Sequence, residues 1–345
     1  MAKAHGFGVA VHHWGRAARL AGETVMNRSA AGLALLLALI LSAAAPRAQA
    51  ETIAVLTKSQ SSPIFTALRA GAGVAARKLG VQVVHYVPST ADNVAEQNKL
   101  VDDAIKDKPD AIVFVPIDFA QAGGAVAKIN AANIPLINAN ERLSGGTVVG
   151  YVGTDDVALA KETGRYLFKA MGNKGNVVIL DGPDSNLTAK GRAQGFRDVV
   201  KETPDVKLLA GKSANYSRVT GKQVTTEFLR GFPQIDGILA ANDPMAIGAV
   251  DALKAGARKS LVVGINASRE VMELLKSGDV IGSGDYDSFV QGCIGLEMAV
   301  RSVRKESVPG EVMLKPVVID KANYAPFDQP YEKRECPTLA SVAGP

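Results

Sequence analysis

Histidine is scarce: four residues in 345, with only His85 beyond position 50. With just two cysteines besides, Cys293 and Cys336, a histidine-based hydrolase or a zinc site lacks its ligands. No EF-hand-like calcium loop occurs either. Long apolar runs are missing except Ala30 to Ala45, which excludes a polytopic membrane protein. A one-sided charge is missing where it would matter. The net charge of +5 invites a nucleic-acid reading, but residues 1–50 carry five basic residues and one acid. The other 295 positions hold 34 basic against 33 acidic residues, so the body of the chain is close to neutral. What is present, 47% hydrophobic and 21% charged residues, is an ordinary globular composition and excludes global disorder.

The first 50 residues read as an export leader. Arg28 supplies a positive region, Ala30 to Leu41 an apolar one, and Ala48-Gln49-Ala50 a small-x-small cleavage pattern. The apolar run falls short of the roughly 20 residues of a spanning helix, so cleavage after Ala50 and a periplasmic mature chain are expected. Met26 stands just before this signal and competes with Met1 as the start. In an oxidising compartment Cys293 and Cys336 have the opportunity to pair. A bridge, or a buried thiol beside an unrelated tail thiol, both remain open.

From Thr52 onward, Val/Ile/Leu-rich runs alternate with helix-length segments. Strands are predicted at 52–57, 81–87, 111–115, 135–139, 148–152, 176–181, 206–211, 236–241, 261–265 and 279–283. Runs apolar on both faces and separated by helices imply parallel sheets covered on two sides. The halves also repeat. Asp110–Val115 matches Asp236–Ala241, and Leu136–Asn140 matches Val262–Asn266, each at an offset of 126. Val81 pairs with Val206 at 125, and Gly71 with Gly195 at 124. Two similar doubly wound α/β domains follow, with ligands expected at the carboxyl ends of their strands.

At this level of detail the chain resembles the ribose-type periplasmic binding proteins. The resemblance rests on Ile53–Phe65 (IAVLTKSQSSPIF), Asn133–Asn140 (NIPLINAN), Val149–Asp156 (VGYVGTDD) and Ala241–Ala249 (ANDPMAIGA), in the family's order and spacing. It covers nearly all of 51–320. It implies a type I periplasmic binding protein fold, two lobes joined by a three-strand hinge that close around a sugar or polyol. Lobe one would be 51–154 plus 287–316, and lobe two 155–286 plus 317–320. Residues 321–345 would form a C-terminal surface tail. The implied role is a monomeric receptor of an ABC importer that delivers its ligand to a membrane permease. A carbohydrate sensor docking on a chemoreceptor or sensor kinase is the alternative. No cofactor, metal or nucleic acid is implied.

Enzyme readings fail on context. Gly71-Ala-Gly73-Val-Ala-Ala76 fits a loose GxGxxA pattern but lies deep inside a helix begun at Pro63 rather than after a strand. Small residues packing that helix on its sheet explain it better. Gly211-Lys212-Ser213 resembles the end of a phosphate loop, but Val206 stands where its first glycine is due. A repressor core would need a DNA-binding headpiece, and a leader stands in its place.

A polyhydroxylated ligand needs converging amides, charges and apolar surface. By the resemblance, Lys58, Ser62 and Phe65 follow the first strand, and Asn140 and Glu141 end the fourth. Lys190 falls where the family commonly has a ligand-gripping arginine. Tyr216, Asn242 and Asn266 follow later strands of lobe two, and Tyr286 lies at the second crossover. Asp243 is expected to cap the helix at Pro244. With Lys58 and Lys190 set against Glu141, Asp285 and Asp287, a neutral monosaccharide or polyol is expected; a sugar acid or amino-polyol are the alternatives.

Overall fold

Strands such as Ile53–Leu56 and Ile238–Ala240 are fully buried along their length. They have no solvent face and must be covered on both sides, which is the condition for parallel pairing beneath helices. The computed structural model describes residues 50–184 and 186–343; all of the expected leader but Ala50 lies outside them. Along the first half run β1 (Thr52–Leu56), α1 (Pro63–Leu79), β2 (Gln82–Tyr86), α2 (Val94–Lys106), β3 (Ala111–Phe114), α3 (Gly123–Ala131), β4 (Leu136–Ala139) and β5 (Gly150–Thr154). Next come α4 (Asp156–Ala170), β6 (Gly175–Asp181), α5 (Leu187–Lys201), β7 (Val206–Ser213), α6 (Arg218–Gly231), β8 (Gly237–Ala240), α7 (Asp243–Ala255), β9 (Leu261–Ile265), α8 (Met272–Ser277) and β10 (Gly282–Asp285). The chain ends with α9 (Ser288–Val303), β11 (Glu311–Leu314), β12 (Val317–Ile319) and the short α10 (Leu339–Ala343).

These strands form two six-stranded sheets, ordered β11-β5-β4-β3-β1-β2 and β12-β10-β9-β8-β6-β7. Each position in one list has its counterpart in the other, so the two-domain α/β expectation holds. All pairs are parallel except the antiparallel β10–β12 pair. The chain passes between the sheets after β5, after β10 and between β11 and β12, which gives the three-strand connection.

Two strands lie later than their hydrophobicity suggests. β5 starts at Gly150 rather than 148, its entry set by Val149 N–H donating to the Leu136 carbonyl at 2.8 Å. β10 is Gly-Ser-Gly-Asp rather than the more apolar stretch before it. A Cβ at Gly284 would press on Thr163 and Leu159 of α4. Close helix approach selects the small residues that a hydropathy reading passes over.

The Gly71 region also differs from expectation. Gly71 packs against α9, not against its sheet. A Cβ there would collide with the Phe289 carbonyl oxygen, and one at Gly292 would collide with the Leu68 carbonyl oxygen. Two helix backbones touch through reciprocal glycines.

The segment after residue 320 is more than a surface tail. Tyr324 and Phe327 pack on the lobe-two core, whereas Tyr331, Cys336 and Leu339 pack on that of lobe one. Cys293 of α9 and Cys336 form a disulfide.

Candidate functional site

The carboxyl ends of both sheets face one cavity of about 310 Å³, within the range of small-molecule sites. Lobe one contributes Lys58, Ser62, Phe65 and Asn140; lobe two contributes Tyr216, Asn242 and Asn266; Tyr286 enters from the second crossover. Eight of the ten expected residues are therefore brought together.

Each is placed by backbone geometry at a strand end. Ser62 and Phe65 sit at the start of α1, opened by Pro63 at its first position. Asn140 adopts a left-handed φ of 68°, which turns the chain out of β4, and its side-chain N–H donates to Gln291 Oε1 at 3.3 Å. Asn242 is the N-cap of α7: its Oδ1 accepts from Met245 N–H at 3.0 Å, and its Nδ2 donates to the Tyr216 carbonyl at 3.1 Å. Asn242, on the cavity wall, thus also carries a cap, a feature worth about 1 kcal/mol.

The cap corrects the role expected of Asp243. Its carboxylate, fully buried, accepts from Ser268 N–H at 2.7 Å and from the Ser283 hydroxyl, and so ties α7 to the loop after β9 and to β10 itself. Burial pushes this carboxyl up to about 6, against the pull of those two serines. At this group the folded protein binds more protons than the unfolded chain between about pH 4 and 6, so the stability it contributes is fully present below that window and is lost as pH rises through it. Asp243 is expected to contribute about 3 kcal/mol to the decline. Denaturant titrations of wild type and Asp243→Asn at pH 4.5 and 7 check this. The variant's difference should be smaller by about 2 kcal/mol, while Asp156, raised by burial in the same way, keeps its own share; an identical difference in both proteins would refute the assignment.

Glu141 and Lys190 are placed differently from expectation. Glu141 is buried beneath the cavity wall, ion-paired to Lys58 Nζ. Its other oxygen accepts from Leu187 N–H, at the start of α5 in lobe two, at 3.4 Å. The Lys58 charge is therefore balanced before any ligand arrives, and Glu141 spans the cleft rather than lining it. Lys190 points away, into a surface depression with Asp184, Gln194 and Arg197.

The cation that does enter the cleft from α5 is Arg192, only 2% exposed. Two residues along a helix is a rotation of about 200°, which moves a side chain to the opposite face. Arg192 shares its face with buried Ala189, Gly195, Phe196 and Val199; this 3–4 spacing was the sequence signal that separates it from Lys190. Its Nε donates to Asp156 Oδ1 at 2.9 Å, and one Nη donates to the Ala241 carbonyl at 2.7 Å and to Asn266 Oδ1 at 3.2 Å. Burial pushes the Asp156 carboxyl up to about 6 despite the guanidinium beside it.

The other Nη of Arg192 and the hydroxyls of Tyr216 and Tyr286 are buried with no protein partner. The guanidinium lies 4.7 Å from the Tyr286 ring centroid and 5.9 Å from that of Tyr216. Burial pushes both phenols up, so they stay protonated and able to donate. Buried polar groups are ordinarily satisfied; three unsatisfied ones around one cavity describe the polar complement of a ligand.

Gln291, absent from the expected set, joins the crossovers. Fully buried on α9, it donates to the Tyr286 carbonyl at 2.7 Å and to Thr154 Oγ1 at 3.3 Å, while Thr154 also donates to that carbonyl at 2.9 Å. Asp285 and Asp287 do not line the main cavity. They border a narrow one of about 20 Å³ behind it, with Arg334.

A family model described as periplasmic binding protein domain matches residues 53–307. The xylitol-binding protein of Mycolicibacterium smegmatis is 34% identical over 243 residues, 70% of each chain. The D-apiose import binding protein of Paraburkholderia graminis is 31% identical over 81% of this chain and 90% of its own. A solved periplasmic solute binding protein of an ABC transporter from Actinobacillus succinogenes, with bound D-allose, superposes with a TM-score of 0.76. It is 32% identical over 79% of this chain and 99% of its own. With two α/β lobes around a polar cleft and a family match across most of its length, this chain belongs to the periplasmic binding protein domain family.

Proposed function

We propose that this protein is the periplasmic receptor of an ABC importer and captures a neutral monosaccharide or polyol between its lobes. It hands that ligand to a membrane permease and catalyses nothing itself. The observation that carries the reading is the trio of unpartnered donors, Arg192 Nη, Tyr216 OH and Tyr286 OH, on a cavity of sugar size. Ser62 and Asn140 face them from lobe one, and Phe65 supplies apolar surface. Relatives named for xylitol and D-apiose, and a neighbour holding D-allose, support the same ligand class. Export with cleavage after Ala50 completes the proposal.

Neutrality follows from paired charges. Lys58 is matched by Glu141, and Arg192 by Asp156. An anionic sugar acid would enter with no uncompensated cation to receive it, at the cost of desolvating its carboxylate. Contacts to both lobes favour the closed form, since a ligand shifts an equilibrium only through differential affinity.

A thermal-shift and calorimetry panel of xylitol, D-allose, D-apiose, D-ribose, inositols and uronates tests this. A neutral compound should stabilise the protein almost independently of salt, and scattering should show a smaller radius of gyration with it bound. Binding confined to uronates would overturn the charge argument; turnover of a bound carbohydrate would overturn the receptor reading.

A further inference from the structure

The C-terminal segment makes a fourth passage between the lobes. After β12 it stays on lobe two: Tyr166 OH donates to Asp320 at 2.9 Å, Tyr324 and Phe327 pack on the lobe-two core, and Asp328 pairs with Lys276 at 2.7 Å. It then reaches lobe one. Tyr331 stacks on Phe289 of α9 at 5.9 Å, Cys336 is bonded to Cys293, and Leu339 is buried while its N–H donates to Glu297 at 2.9 Å. Only Gln329 and Pro330 separate Asp328 from Tyr331.

Arg334 lies across the junction. Its guanidinium is 4.4 Å from the Phe289 ring and 5.0 Å from that of Phe327, so one side chain touches anchors of both lobes. It also borders the narrow cavity with Asp285 and Asp287, beside the crossover that carries Tyr286.

We propose that residues 320–339 form a tether, made fast to lobe one by the Cys293–Cys336 disulfide, that limits how far the cleft opens. Three Cα–Cα steps join Asp328 to Tyr331, so those anchors separate by at most about 11 Å while both hold. The lobe-one end is covalent, and the lobe-two end is packing, the Tyr166–Asp320 hydrogen bond and one partly exposed ion pair. Wider opening must therefore peel Tyr324 and Phe327 from lobe two. By narrowing the open ensemble, the tether reduces the entropy that closure must overcome and strengthens ligand retention. The inference rests on the opening and closing proposed above.

The test pairs a variant that changes tether length without touching an anchor with one that removes an anchor. A ten-residue Gly/Ser insertion between Gln329 and Pro330 keeps the disulfide and both cores, and Phe327→Ala releases the lobe-two end independently. Small-angle scattering of the ligand-free full chain should show a larger radius of gyration for both variants than for wild type. Where a sugar from the panel binds, it should dissociate several-fold faster from both variants. A ligand-free radius unchanged in the insertion variant overturns the tether. Failure of every sugar to bind would instead overturn the proposed function and leave the ligand-free comparison standing.

Discussion

Arg192→Met is expected to weaken sugar binding by about a hundred-fold or more, near 3 kcal/mol, because truncating a buried hydrogen-bonded charge typically costs 2–5 kcal/mol. Three effects combine. The unpartnered Nη presented to the cleft disappears. Asn266 and the Ala241 carbonyl lose the donor that holds them at the cavity wall. Asp156 is left without its guanidinium, although its carboxyl, already raised to about 6 by burial, relieves part of that cost by protonating. Arg192→Lys should recover little, since an ammonium cannot serve Asp156, Ala241, Asn266 and a ligand from one planar fork. Lys190→Met is the internal control and should bind like wild type. Calorimetry on the three variants, with circular dichroism to confirm folding, checks the assignment. Equal losses in Arg192→Met and Lys190→Met would refute it.

That pair of residues shows how far sequence reading reaches. The repeat at an offset of 126 locates β3 and β8, and β4 and β9, in equivalent positions of the two sheets. The loops after these strands carry Asn140, Asn242 and Asn266 to the cavity. The ends of β4, β8 and β9 are legible because each apolar run stops just before an asparagine. Which side of a helix meets the cleft is harder: Lys190 and Arg192 are chemically alike and two residues apart, and only the burial period of α5 separates them. Partnerships across long sequence distance were not legible at all. Glu141 meets Lys58 across 83 residues, and Gln291 meets Asn140 across 151. The segment after residue 320 is rich in charges and prolines, so its reach back to α9 shows only once Phe289 and Cys293 are placed in space.

Gly71→Val should destabilise the protein by more than about 3 kcal/mol, the upper part of the range for overpacking a core, whereas Gly73→Ala, two residues further along the same helix, should be neutral or stabilising. At Gly71 any Cβ meets the Phe289 carbonyl, a backbone atom that can move only if α9 moves. Separating α1 from α9 also strains the reciprocal contact of Gly292 with Leu68 and the packing of Phe65, Ala72 and Phe289. At Gly73 the nearest atom to a Cβ is the flexible end of Arg77, 3.9 Å away. There alanine removes glycine's entropic penalty in a helix interior, a gain of about 0.5–1 kcal/mol. Lobe two repeats the device: Gly195 of α5 lies against the Val157 carbonyl of α4, at the offset of 124 read from the sequence. In each lobe one helix follows a crossover, α9 in lobe one and α4 in lobe two, and a glycine lets the helix bearing cleft residues rest directly on it. Gly195→Val should therefore match Gly71→Val in cost and weaken sugar binding as well, since α5 carries Arg192. Denaturant unfolding of the three variants checks the order, and a Gly73→Ala protein as unstable as Gly71→Val would show that helix glycine content, not backbone contact, sets the effect.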